Sequence, residues 1–162
     1  MTTGENGKRG SPTRAIRRKV ASFKLGIDAG DYLIVEINGR VDEHDDWLDA
    51  TISLRAGAFS ATFDACLVTS DFPQFRARLE TLFDRLIGSA VFDTIEGQLK
   101  ITCVGNGHGG VAVDVVAQDR AGDGNELKFR LAIDQTFLPG VIADLRNIEF
   151  LYPNRTPRVS PE

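Results

Sequence analysis

The residues best suited to chemistry in this chain are gathered in one run: Asp42, Glu43, His44, Asp45, Asp46, Trp47, Leu48, Asp49. Five carboxylates, one of the two histidines and the only tryptophan fall within eight positions. Oxygen-rich clusters suit hard cations such as Ca²⁺ or Mg²⁺. The spacing, however, lacks the Asp-x-Asp-x-Asp-Gly order of a calcium loop, with its glycine and its later glutamate. His108, the other histidine, lies far along the chain in a Gly-rich segment, so no zinc spacing exists. No metal and no cofactor are expected. Asp42, Glu43, Asp45, Asp46 and Asp49 instead offer hydrogen-bond acceptors to Lys or Arg of a basic partner. The plainer alternative is a solvated turn.

Other candidate chemistry is thinner. The segment GNGHGG (105–110) superficially resembles a phosphate cradle, but such loops open a helix and here a strand follows, which points to a tight hairpin turn. No GxSxG elbow is present, and Cys66 and Cys103 fall inside apolar strands without metal spacing, as reduced buried thiols would. Glu80 and Asp84 share a helical face with Arg76, the pattern of a charged solvent-facing stripe. These readings favour a protein that is not an enzyme.

The elements that must position these residues follow from periodicity. Segments 20–27 and 32–41 are rich in β-branched and aromatic residues, with a turn signal, Asp-Ala-Gly-Asp, between them. In 47–55, Leu48, Ala50, Ile52 and Leu54 alternate with Thr51, Ser53 and Arg55; in 59–67, Phe59, Ala61, Phe63, Ala65 and Leu67 alternate with Ser60, Thr62, Asp64 and Cys66. Both runs have the period of a half-buried strand, and with Gly57 between them they form a hairpin. Trp47 then lies opposite Leu48, Ala50 and Ile52, as an interface anchor if exposed or under a second covering layer if not.

The period changes at Phe72, Phe75, Leu79, Leu82, Phe83 and Leu86, one stripe of a helix. Asp71 with Gln74 suggests a capping box, Pro73 fits the first turn, and Gly88 is the expected left-handed stop. Strands follow at 90–93, 98–104, 111–118 and 126–133, then a helix over about 136–149 with Pro139 in its opening turn. The two halves share a loose rhyme, each ending in an amphipathic helix with an early proline, although their strands do not align residue by residue. The expected fold is α+β: about seven or eight mainly antiparallel strands, in one curved sheet or a two-sheet sandwich, with two amphipathic helices.

Charge is unevenly spread. Residues 1–19 carry +5 and 153–162 carry +1, which leaves −10 on 20–152 within a chain total of −4. The expected division is a disordered basic arm (1–19), one domain (20–152) and a flexible tail (153–162). An acidic body repels nucleic acid and attracts basic proteins. No run is long enough to span a bilayer and no apolar stretch follows the basic N-terminus, so neither membrane nor export is expected, and the cytoplasm is the expected location.

Three strings, in order, carry a resemblance: DDWLDATISL (45–54), EGQLKITCVGNGHGG (96–110) and LKFRLAIDQTFLPGVIADLRNI (127–148). Together they resemble the bacterial family that includes the WapI-type immunity proteins, over roughly residues 30 to 150. Asp46 stands where that family tends to have Asn. The resemblance implies a cytoplasmic binding protein that neutralises a cognate toxin, and it brings no catalytic residues. Nuclease toxins are commonly basic because they grip phosphate, which suits the acidic body. A different class of function, a small-ligand or carbohydrate-binding β-domain, would need Trp47, Phe59, Phe63 and Phe129 to line a common cup.

Overall fold

The computed structural model of the chain describes residues 21–155 apart from Asp28. The arm 1–19 and the end of the tail, 156–162, lie outside the described residues. The element order is β1 (Ala21–Gly26), β2 (Tyr32–Arg40), β3 (Trp47–Ala56), β4 (Phe59–Val68), α1 (Asp71–Arg85), β5 (Ile87–Asp93), β6 (Leu99–Asn106), β7 (Gly110–Gln118), β8 (Glu126–Asp134), a 3-10 turn (Gln135–Phe137) and α2 (Leu138–Leu151). The fold is α+β, with two antiparallel four-stranded sheets in the orders β1-β2-β3-β4 and β5-β6-β7-β8. The two-sheet alternative is therefore the one the chain adopts.

Period-two patterning gives each sheet one buried face. Phe23 and Leu25, Leu33 and Val35, and Leu48, Ile52 and Leu54 point inward from the first sheet. Phe92, Ile101 and Val113, Val115 and Leu131 do the same from the second. Both faces join the buried stripes of the helices, Phe72, Phe75, Leu79 and Leu82 of α1 and Leu138, Val141, Leu145 and Ile148 of α2, in one continuous core. At its centre four rings touch: Phe92 lies 5.4 Å from both Phe72 and Phe75 and 5.8 Å, edge-on, from Phe23. None of the described helices is long and apolar enough to cross a membrane.

The helix ends differ from expectation. Ser70 occupies the position before α1, and its side chain makes no capping bond. Asp71 instead turns its carboxylate back to accept the Val68 amide at 3.1 Å. Nor does Gly88 end the helix. Leu86 does so, in the left-handed region at φ 62°, with its amide donating to the Leu82 carbonyl at 2.8 Å. A leucine rarely adopts this conformation. Here its own carbonyl accepts the Gly107 amide at 2.9 Å, which fixes the turn from α1 directly into β5. Gly107 supplies the positive φ, 81°, that this approach requires. Arg76 also departs from a mere solvent stripe, since it bonds Glu149 of α2 as well as Glu80 and so ties the helices together.

The loose rhyme between the halves becomes a topological repeat: four antiparallel strands and a helix, twice over. The residue after the fourth strand donates its amide to the residue before the third in both halves, Thr69 to Asp46 at 2.9 Å and Gln135 to Gly109 at 2.8 Å. Each helix packs on the first strand of the other half, α1 on β5 and α2 on β1, and the helices pack on each other. The β2–β3 loop (41–46) is thus the counterpart of the β6–β7 turn (107–109), which is a hairpin connection as expected and not a phosphate cradle.

Phe92→Ala would remove the ring shared by three aromatic contacts and leave a cavity in the core. The expected loss is about 3–5 kcal/mol of unfolding free energy, read as a lower urea midpoint.

Candidate functional site

The β2–β3 loop is a compact turn built by its own polar groups. The Val41 amide donates to the Trp47 carbonyl at 3.0 Å and closes the loop base. Inside it, the Asp42 carboxylate accepts the His44 amide at 2.8 Å, and the Asp45 carboxylate accepts the Asp46 amide at 2.7 Å. These are the local side-chain-to-backbone bonds that aspartate makes in turns. The side chains of Asp42, Glu43, His44 and Asp45 nevertheless remain exposed.

Asp46 is set apart from its neighbours. It is 7% exposed, and its carboxylate accepts the Arg155 amide at 2.8 Å and lies 3.5 Å from the Arg40 guanidinium. Arg40 also donates to the Asp45 carbonyl at 2.6 Å and to the Pro153 carbonyl. Of the acidic run, Asp46 therefore points into the protein, while Asp42, Glu43, Asp45 and Asp49 present carboxylates outward. Residues 153–155, expected to belong to a flexible tail, are held against this loop.

Asp49 extends the acidic surface onto the outer face of the first sheet. A register shift between Ile37 and Gly39 leaves Asn38 as the extra residue of a bulge and sets Asp49 opposite Gly39 on one side and Cys66 on the other. One row along, Glu36, Thr51 and Asp64 stand in register. The Asn38 amide donates to the Thr51 hydroxyl at 2.9 Å, and that hydroxyl lies 3.5 Å from Asp64. Gln98, just before β6, donates its side-chain amide to the Asp64 carbonyl at 3.2 Å and walls off one side. The result is a shallow concavity of about 450 Å³ lined by Asn38, Asp49, Asp64, Cys66 and Gln98 with two alanines.

Its electrostatics register on Cys66. The thiol is held above the ordinary cysteine value, first by burial and then by the negative charges of Asp49 and Glu96. Cys66 is half-buried on the outer face, so of the two thiols expected inside only Cys103 is buried, with its pKa pushed up to about 12 by desolvation. Trp47 is half-buried on the same outer face, in register with Val68. The surface thus combines acceptor-only carboxylates with one large aromatic, groups whose chemistry suits cationic side chains.

The run 42–49 does not announce Asn38, Asp64 or Gln98. The outward parity of Asp64 in β4 is a readable signal; the bulge and the Gln98 wall are not. Among the described residues, no three His, Cys, Asp or Glu side chains are placed to hold a metal ion. The aromatics that would line a ligand cup do not converge. Phe63 and Phe129 pack against the core, Phe59 is 66% exposed, and Trp47 sits at the other end of the β3–β4 hairpin from Phe59.

Alkylation of Cys66 by iodoacetamide, followed against pH, should show a midpoint above that of free cysteine. Asp49→Asn should move that midpoint down, because it removes a charge that disfavours the thiolate. An unmoved midpoint would remove Asp49 as a cause and leave burial with Glu96. Cys103 should stay unlabelled until the protein is unfolded.

In comparison with known proteins, the family model described as the immunity protein WapI-like family matches residues 24–153. No curated protein matches the chain.

Proposed function

The chain belongs to the immunity protein WapI-like family, and from that premise we propose that it is a non-enzymatic protein-binding module that neutralises a cognate bacterial toxin. The observation that carries this reading is the family match, which spans nearly all of the described fold. The surface chemistry supports it. Asp42, Glu43 and Asp45 at the loop tip, with Asp49 on the adjoining sheet face, would receive Lys or Arg side chains of a basic toxin domain, and Trp47 would add apolar contact beside them.

Physical considerations favour a charged contact of this kind. A body of net charge −10 over residues 20–152 accelerates encounter with a cationic partner and disfavours wrong ones. Charge-assisted hydrogen bonds then fix the register of the complex. Asp46 takes no part in the contact on this reading, because its carboxylate is engaged within the protein. A partner of this type reads the cytoplasm as the site of action, where an incoming toxin would be met.

Co-purification with the C-terminal domain of a toxin encoded beside this gene tests the proposal, with capture expected for the unaltered chain. The paired reversal Asp42→Lys and Asp45→Lys should weaken that binding about tenfold or more, mostly through slower and less salt-sensitive association. Binding that survives both reversals unchanged would remove the acidic loop from the interface.

A further inference from the structure

Residues 153–155, which follow α2, are fastened to the acidic loop and its neighbours by several hydrogen bonds. Arg40 donates to the Pro153 carbonyl on one side and, on the other, to the Asp45 carbonyl at 2.6 Å, with Asp46 3.5 Å away. The Asp46 carboxylate accepts the Arg155 amide at 2.8 Å, and the Arg155 guanidinium donates to the Glu43 carbonyl. Thr69 completes the joint: its amide donates to the Asp46 carbonyl at 2.9 Å and its hydroxyl lies 3.5 Å from the Asn154 side chain. The Arg40 and Asp46 side chains are each only 9% exposed, so this pair works with little screening by water.

The repeat explains why such a joint stands here. In the other half, the end of α1 meets the equivalent turn through one backbone bond, Gly107 to Leu86, and the chain then runs on into β5, whose pairing with β6 holds the junction. After α2 no strand follows among the described residues. Side chains of Arg40 and Asp46 supply the fastening that strand pairing supplies in the first case.

We propose that residues 153–155 form a latch, closed by Arg40 and Asp46, that holds the acidic loop in a single conformation, so that the segment after α2 governs how Asp42, Glu43 and Asp45 are presented. Arg40 is a positioning residue in this device. One guanidinium bridges the loop backbone, the Asp46 carboxylate and the strap, which the point charge of a lysine does not reproduce. The consequence for binding rests on the proposed toxin contact: a loop already fixed loses less conformational freedom on association. The latch itself stands without any partner.

Hydrogen exchange on the isolated full chain tests it. In Arg40→Ala, amides of 41–47 and of Thr69 should exchange about tenfold or more faster, while core amides such as Val35, Ile52 and Val113 keep their protection. Asp46→Asn keeps the shape and an acceptor but loses the charge, and should give the same local pattern to a smaller degree. Termination after Tyr152 should reproduce the Arg40→Ala pattern, and Arg40→Lys should not restore protection. Loop exchange unchanged in both Arg40→Ala and the shortened chain would overturn the latch. So would faster exchange spread evenly over the whole fold, which would make Arg40 a residue of global stability. Because no partner enters the measurement, a failed toxin capture leaves this result unaffected.

Discussion

Contact among Phe23, Phe72, Phe75 and Phe92 is the interaction on which this architecture rests. It joins the first strand of each sheet to the helix between them. Each sheet buries only one face, and a four-stranded meander with one apolar face is not stable until that face is covered. The rings do this for both sheets at once, in the tilted and edge-on geometries that aromatic pairs prefer. With the inner faces committed there, the outer face of the first sheet is left mostly to polar residues, and the acidic surface follows from that division.

Symmetry and its breakdown organise the rest. Helix α1 leads into a strand, whereas α2 is followed by a short strap pinned by side chains. The acidic run lies in the loop that receives this strap, at the point where, among the described residues, no strand follows the second helix. One of its carboxylates is spent on closing the fold and the others face water. A run that looks uniform in sequence is thus divided between structure and surface.

That division marks what the sequence makes legible and what it hides. Alternation in Leu48, Ala50, Ile52 and Leu54 and the three-four spacing from Phe72 to Leu82 reveal which faces are buried, because burial imposes the period directly. The same alternation places Asp64 and Cys66 outward. Hidden are the features set by remote partners: the inward-turned Asp46 carboxylate accepts the Arg155 amide, 109 residues away. Leu86 ends α1 ahead of Gly88 because the Gly107 amide claims its carbonyl, and tertiary contact overrides local preference there. Whether eight strands make one sheet or two depends on where the chain goes after α1, which no local pattern encodes.

The bulge at Asn38 has a consequence for how the polypeptide could be cut and rejoined. Ala21 pairs with Ile37 just before the bulge, and Arg40 just after it grips Pro153. The start of β1 and the start of the strap therefore approach the same stretch of β2, within roughly three residues or about 10 Å along the strand. The fold is close to a closed ring whose seam lies beside the acidic loop. A circular permutant of residues 21–155, its seam bridged by a short linker and its new ends placed at the exposed Gly57–Ala58 turn, is expected to keep the strand pairings and helix contacts described above. It would also turn the strap into a covalent link like the one that joins α1 to β5.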